Sequence, residues 1–208
     1  MPEMPLIGRA HSKIVFERRV RVLSAHICRA LPQGAKVLDV GCGDGTLDSL
    51  ILAARPDVSI HGIDVLVRPQ TRISVTRFDG TCIPFETGTF DVVLFVDVLH
   101  HTRDPLGLMR EASRVSRRTL VIKDHTKDGV LAGPTLRLMD WVGNAHHGVV
   151  LPYNYWPESS WKSAFKTLDL LVEHWSAEIG LYPWPANLLF DRRLHFVATL
   201  GKGRPATG

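Results

Sequence analysis

The sequence predicts a doubly wound α/β domain, a mostly parallel sheet with helices on both faces. Three observations predict it. Short apolar runs alternate with stretches of helical periodicity. One of those runs opens into a glycine-rich turn, Asp39 to Thr46, that leads straight into a helix. Several runs end on carboxylates or glycine, where sheets of this kind bind their ligands.

Each element follows from the chain in order. Over residues 12–31, Phe16, Val20, Leu23, Ile27 and Leu31 recur in steps of three and four, giving one apolar helical face. Pro32, Gln33 and Gly34 end that helix. Residues 37–40 form the first strand, and 46–54 the helix after the glycine turn. Residues 58–63 read as a second strand closed by Asp64, and 73–78 as a third closed by Asp79 and Gly80. Residues 90–96 are continuously apolar apart from Asp91, like a central parallel strand buried on both faces. Asp104 and Pro105 read as an N-cap and first helical residue, with Leu106, Met109, Ala112 and Val115 continuing the helix. Residues 119–122 form a fifth strand, closed by Lys123, Asp124 and His125.

Beyond that point the character changes, because every tryptophan and tyrosine lies after residue 140. Residues 129–155 show no clear strand pattern and contain paired histidines and Pro152. Residues 157–168 read as a helix with Trp161, Phe165 and Leu168 on one face, and 170–175 and 194–200 as two closing strands. The predicted organisation is a single domain over 1–200 and a flexible tail over 201–208. Within the domain lie an N-terminal helix (12–31), a cofactor-binding core (36–124), a substrate-covering insertion (125–169) and closing strands (170–200).

A length of 208 residues, 45% of them apolar, suits one sizeable core. The net charge of +4 is spread over separated arginine groups, among them Arg18, Arg19 and Arg21, which read as a solvated helix face and argue against nucleic acid as a partner. Cys28, Cys42 and Cys82 are odd in number and lack CxxC spacing, so they predict free thiols in a reducing compartment. No signal peptide is evident, and the apolar stretch 92–99 is broken by Asp97 and too short to span a bilayer. The expectation is a cytoplasmic protein without a membrane span.

The glycine turn narrows the ligand. A dinucleotide fingerprint needs glycine at position 46, where this chain has Thr46, and no P-loop sequence is present. Asp39, just before Gly41, would repel a pyrophosphate and suits a cationic amine. Asp64 stands 23 positions after Gly41, where a carboxylate can accept from both ribose hydroxyls. Asp79, ending the next strand, is placed to accept from an adenine amino group. Together these carboxylates describe an adenosine ligand that carries positive charge and no phosphate.

The segments VLDVGCGDG, GID and FDGTCIPFETGTFDVVLFVDVLHH, spread over residues 36–124, resemble the class I S-adenosylmethionine-dependent methyltransferases of the type 11 group, which includes quinone-pathway enzymes. The resemblance implies a Rossmann-like, seven-stranded sheet with an antiparallel last strand. It implies S-adenosyl-L-methionine as cofactor and S-adenosyl-L-homocysteine as product. Gly41, Cys42 and Gly43 would cradle the methionine part. Asp64 and Val65 would hold the ribose, and Asp79 and Gly80 the adenine. Val96 and Asp97 would lie near the sulfonium.

Methyl transfer from a sulfonium asks the protein mainly to position two partners and exclude water. A hydroxyl acceptor adds the need for a base. Candidate bases are His125, His101 and His146; Trp141, His147, Tyr153 and Tyr155 are candidates for an apolar acceptor wall with polar tips. No HExxH, H-x-x-x-H or cysteine pair marks a metal, so none is predicted. The expected acceptor is a small organic molecule methylated at oxygen, nitrogen or carbon. The alternatives are a nucleic-acid methyltransferase, which the missing N-P-P-[YFW] sequence after the fourth strand disfavours, and a non-catalytic cofactor-binding subunit. Oligomeric state is not predicted.

Overall fold

The computed structural model describes residues 6–144 and 154–203. The elements run α1 (Leu6–Ala30), β1 (Lys36–Val40), α2 (Thr46–Ala54), β2 (Ser59–Asp64), β3 (Val75–Arg77) and β4 (Phe90–Val96). A 3-10 turn (Leu99–His101) leads into α3 (Pro105–Val115), β5 (Ser116–His125) and α4 (Ala132–Asn144). Then come α5 (Glu158–Thr167), β6 (Leu170–Ser176), α6 (Asn187–Phe190) and β7 (His195–Lys202). The strands form one seven-stranded sheet in the order β3-β2-β1-β4-β5-β7-β6. β7 is antiparallel to both β5 and β6, as the resemblance implies.

Alternation along the strands sorts their side chains onto two faces. Leu38 and Val40 of β1, Val93 and Phe95 of β4, and Leu120 and Ile122 of β5 enter one core, beneath α3 and α5. Val37, Val92, Leu94 and Val121 enter the other, against Leu23 and Ile27 of α1, Leu31 just after it and Ile51 of α2. Asp39 therefore faces α1 and α2. The chain leaves β1 toward β2 on one side and returns through β4 on the other, so β1 and β4 flank the switch point where such sheets bind ligands.

Several boundaries differ from the sequence reading. β3 is three residues long because it is an edge strand that pairs only with β2, although Phe78 beyond it still reaches the core. β5 runs through Lys123, Asp124 and His125 instead of closing before them. Each of the three pairs with β7, and their side chains are buried among one another. Residues 132–144 form a helix where no strand pattern was legible; Leu136 is buried, while Pro134 falls in the first turn, where proline is tolerated. β7 reaches Lys202, two residues into the segment read as a tail. No helix among the described residues is long and apolar enough to cross a membrane.

Candidate functional site

The glycine turn is held from below. Gly41 N and Cys42 N donate to Ile63 O at 2.7 and 3.3 Å, and Gly43 N donates to Asp64 Oδ2 at 2.9 Å. Gly41 has φ 78°, and a Cβ there would stand 2.6 Å from Val98 Cγ2, so only glycine fits. Asp64 also accepts from Leu66 N at 2.8 Å, so it braces the turn as well as facing the cavity. Asp79 Oδ1 accepts from Thr81 N, Thr81 Oγ1 and Cys82 N at 2.7–2.9 Å, and these donors hold its carboxyl below the usual range.

Two cavities meet at Gly41. The larger, about 760 Å³, is lined by Asp64, Val65, Asp79 and Gly80 on one side and by Val98, His101 and Asp104 on the other. The smaller, about 210 Å³, is lined by Arg19, Asp39, Cys42, Asp44, Val96 and Asp97. Nine of the ten residues predicted for the cofactor line one or the other of these two spaces, Gly43 being the exception. Gly43, whose neighbours Cys42 and Asp44 line the smaller cavity, stands at its rim. The larger cavity carries the two carboxylates suited to a nucleoside, and the smaller one the carboxylates suited to an amine. Asp39 is 3% exposed, yet its Oδ1 has no hydrogen-bond partner among the described residues. A buried carboxylate with an unpartnered oxygen, on a residue that lines a cavity, suits a ligand that brings a cation. Burial beside Asp39, Asp48 and Asp64 raises the Cys42 thiol, which keeps it from acting as a nucleophile.

A second polar cluster closes the ends of β4, β5 and β7. Asp97 leaves β4 in the left-handed region, φ 57°, fixed by its N–H to Lys123 O at 2.9 Å and by an ion pair with the Lys123 ammonium. Arg19 adds a second cation 3.7 Å away, lying also over the Tyr182 ring. Burial opposes the charge on Asp97, but Lys123, His125 and Arg19 outweigh it and hold the carboxyl low. Asp124 accepts from His100 Nδ1 at 2.6 Å, Leu99 N at 3.0 Å and His125 N at 2.7 Å. His125 Nδ1 lies 3.4 Å from Asp124 and 3.5 Å from Asp97, and burial followed by Lys123 lowers its basicity. Lys123 Nζ lies 3.4 Å from His195 Nδ1, and burial followed by Lys123 holds His195 well below the usual histidine range.

Of the predicted bases, His101 lines the larger cavity and its ring lies 3.9 Å from that of His100. His125 is buried one layer behind, against Asp97. Tyr155 is buried, donates its hydroxyl to Leu136 O at 3.2 Å and stacks on His100 at 5.6 Å, so it braces the histidines and does not line either cavity. His146, His147 and Tyr153 lie outside the described residues; Trp141 falls on α4, with its side chain likewise outside them. Asp97, His100, Asp124 and His125 bring ligand-type atoms within 4.8 Å of one another. The cluster already contains its own cation, since Lys123 sits on Asp97.

The sequence reading missed Arg19, Asp48 and Lys123. Arg19 was hidden in a run that reads as solvated. Asp48 did leave a trace, as an acid among the apolar residues of α2, where it is fully buried.

A family model described as a methyltransferase domain matches residues 15–174. The chain is 29% identical over 100 residues to 27-O-demethylrifamycin SV methyltransferase of Amycolatopsis mediterranei, covering 42% of this chain and 36% of that protein. It is 28% identical over 156 residues to 2-methyl-6-phytyl-1,4-hydroquinone methyltransferase of a Synechocystis strain, covering 70% and 42%. The chain spans about two-fifths of the length of these curated relatives. Its fold matches a putative methyltransferase solved in complex with the Haloferax volcanii Trm112 methyltransferase activator, with a TM-score of 0.69 at 15% identity over 96% of both chains.

Proposed function

The chain belongs to the class I S-adenosylmethionine-dependent methyltransferase family, and from that premise we propose that it methylates a small organic acceptor at oxygen, nitrogen or carbon. The observation that carries this reading is the pair of cavities joined at Gly41, the smaller acidic and the larger flanked by Asp64 and Asp79. Bound there, the cofactor supplies a methyl group already activated by its sulfonium. The protein's part is then placement and exclusion of water. Asp39 and Asp97 would orient the amino-acid end, Asp64 and Val65 the ribose, and Asp79 and Gly80 the adenine. Val96, Gly41, Cys42 and Gly43 would set how closely the backbone approaches.

The acceptor would enter along the His101 wall. His101 is the histidine able to take a proton from an acceptor hydroxyl, with His100 and Asp124 positioned behind it. Of the predicted covering segment 125–169, the stretch around Asn154 would cover that side. Asn154 N donates to His100 O at 3.1 Å and Asn154 Nδ2 to Thr102 O at 3.1 Å, while Lys127 N donates to Trp156 O at 3.0 Å. These bonds tie the segment across the strand ends. The two curated relatives named above act on a rifamycin and on a prenylated hydroquinone, as their names say, and such greasy phenolic or hydroxylated rings are the acceptor class to screen first.

The test is calorimetric titration with S-adenosylmethionine and S-adenosylhomocysteine, with NAD as control, on the wild type and Asp64→Ala. Micromolar binding by the wild type that collapses in the variant is the expected result. No binding by the wild type would sink the reading.

A further inference from the structure

Beneath the glycine turn lies a pair of acids that the chemistry of methyl transfer does not call for. Asp39 at the end of β1 and Asp48 in the first turn of α2 are 3% and 0% exposed. Their carboxyl groups come within hydrogen-bonding reach of each other. Neither Asp48 oxygen has another hydrogen-bond partner among the described residues, and Asp39 Oδ1 likewise has none, while Asp39 lines the smaller cavity.

The surroundings give this pair little positive charge. Asp44 in the turn and Asp64 from β2 are acidic, and Cys42 is a buried thiol. Arg19 from α1 lines the same cavity but is turned to Asp97 of β4, and Arg72 donates to Thr46 Oγ1 on the outside of the turn. Two neighbouring buried carboxylates without a cation cannot both be ionised at modest cost.

Resting on the cofactor reading above, we propose that Asp39 and Asp48 hold one proton between them, and that the pair gives this proton up to solvent when a ligand's ammonium group reaches Asp39. No bond other than that O–H is broken; the incoming positive charge replaces the departing one. Asp48 is thus a positioning residue acting through Asp39. It keeps Asp39 in place as a hydrogen-bonded, uncharged-on-demand group while the site is open, and as an anion once a cation is present. The pair would select for a cationic amino-acid end and against its neutral or acylated analogues. Burial, followed by the neighbouring acid, raises the proton affinity of Asp39 well above the usual carboxylate range, and burial pushes Asp48 up to about 6, in keeping with one retained proton near neutrality.

The experiment measures protons and not turnover. The full chain is titrated with S-adenosylmethionine at about pH 6.5 in phosphate and in imidazole, whose ionisation enthalpies differ, so that the difference in heat counts the protons exchanged. At that pH an α-amino group of ordinary pKa, about 8, is already charged and contributes little. Release approaching one proton per ligand bound is expected in the wild type and its loss in Asp48→Asn. Binding without proton release, or equal release in the variant, overturns the proposal while leaving the cofactor reading intact. Absence of binding by the wild type overturns both, and is recognised by the missing heat itself. Should Asp48→Asn fail to fold, the wild type still decides. Its release must shrink as pH rises through the titration of the pair, and a release that is constant with pH overturns the assignment.

Discussion

Two buried polar clusters sit at neighbouring strand ends, and they are built on opposite principles. Around Asp97, Lys123, Asp124, His100 and His125, every charge meets its complement within the protein, at separations of 3.5 Å or less. Around Asp39 and Asp48, two acids face each other with carboxylate oxygens that bond to nothing else among the described residues. A completed cluster is a scaffold that fixes where the strand ends and the turn begin. An incomplete one marks a place where the missing charge arrives with a ligand. The contrast also explains why β5 can run three polar residues deeper than an apolar reading allows.

The largest expected effect breaks the completed cluster. Lys123→Met would leave Asp97 without its nearest cation and cost about 3–5 kcal/mol of stability, read by denaturant unfolding. A loss under about 1 kcal/mol would show that the cluster is no scaffold.

Asp39→Asn should do the reverse. Stability should hold or rise by roughly 1 kcal/mol as a poorly compensated buried acid is removed. Affinity for S-adenosylmethionine should fall by about tenfold or more, the value of one charge-assisted hydrogen bond. Equal loss of stability in the two variants would erase the distinction drawn between the clusters.

Acidity separates the clusters without mutation. His125 and His195 have lowered pKa values in the folded protein, so the unfolded chain binds more protons and stability falls as pH drops below about 6.5. Asp39 and Asp48 are raised, so their contribution is present at low pH and is lost as pH rises through about 6 and above. Thermal melts across pH should therefore show a maximum near pH 6 to 7, and Asp48→Asn, by removing the acid that helps raise Asp39, should flatten the fall above it. A wild-type curve that keeps climbing past pH 8 would contradict the assignment of the acid pair.

The smallest effect is expected of Arg19→Met. Its pairing with Asp97 is long, at 3.7 Å, and both side chains are a quarter or more exposed, so stability should change by less than about 1 kcal/mol. A larger loss would make Arg19 part of the scaffold.

Much of the cofactor site was legible in the chain because it depends on local demands. Gly41 is needed where the backbone turns with positive φ against Val98, Asp64 is the last residue of β2, and Asp79 stands two residues past β3. The acceptor side was less legible. Tyr155 looks in sequence like a pocket wall, but in the fold it is an internal brace with its hydroxyl on Leu136 O. Arg19 looks like solvated charge until α1 packs beside the end of β4.

By itself, then, the sequence determined the alternation of strands and helices, the glycine turn and the acids that line the larger cavity, because periodicity and backbone geometry act over a few residues. Only the tertiary structure decided which polar groups meet. Asp39 meets Asp48 because β1 and α2 share a face of the sheet, and Asp97 meets Lys123 because β4 lies beside β5. The charge state of each depends on burial and on partners brought from other elements, and no window of sequence contains those.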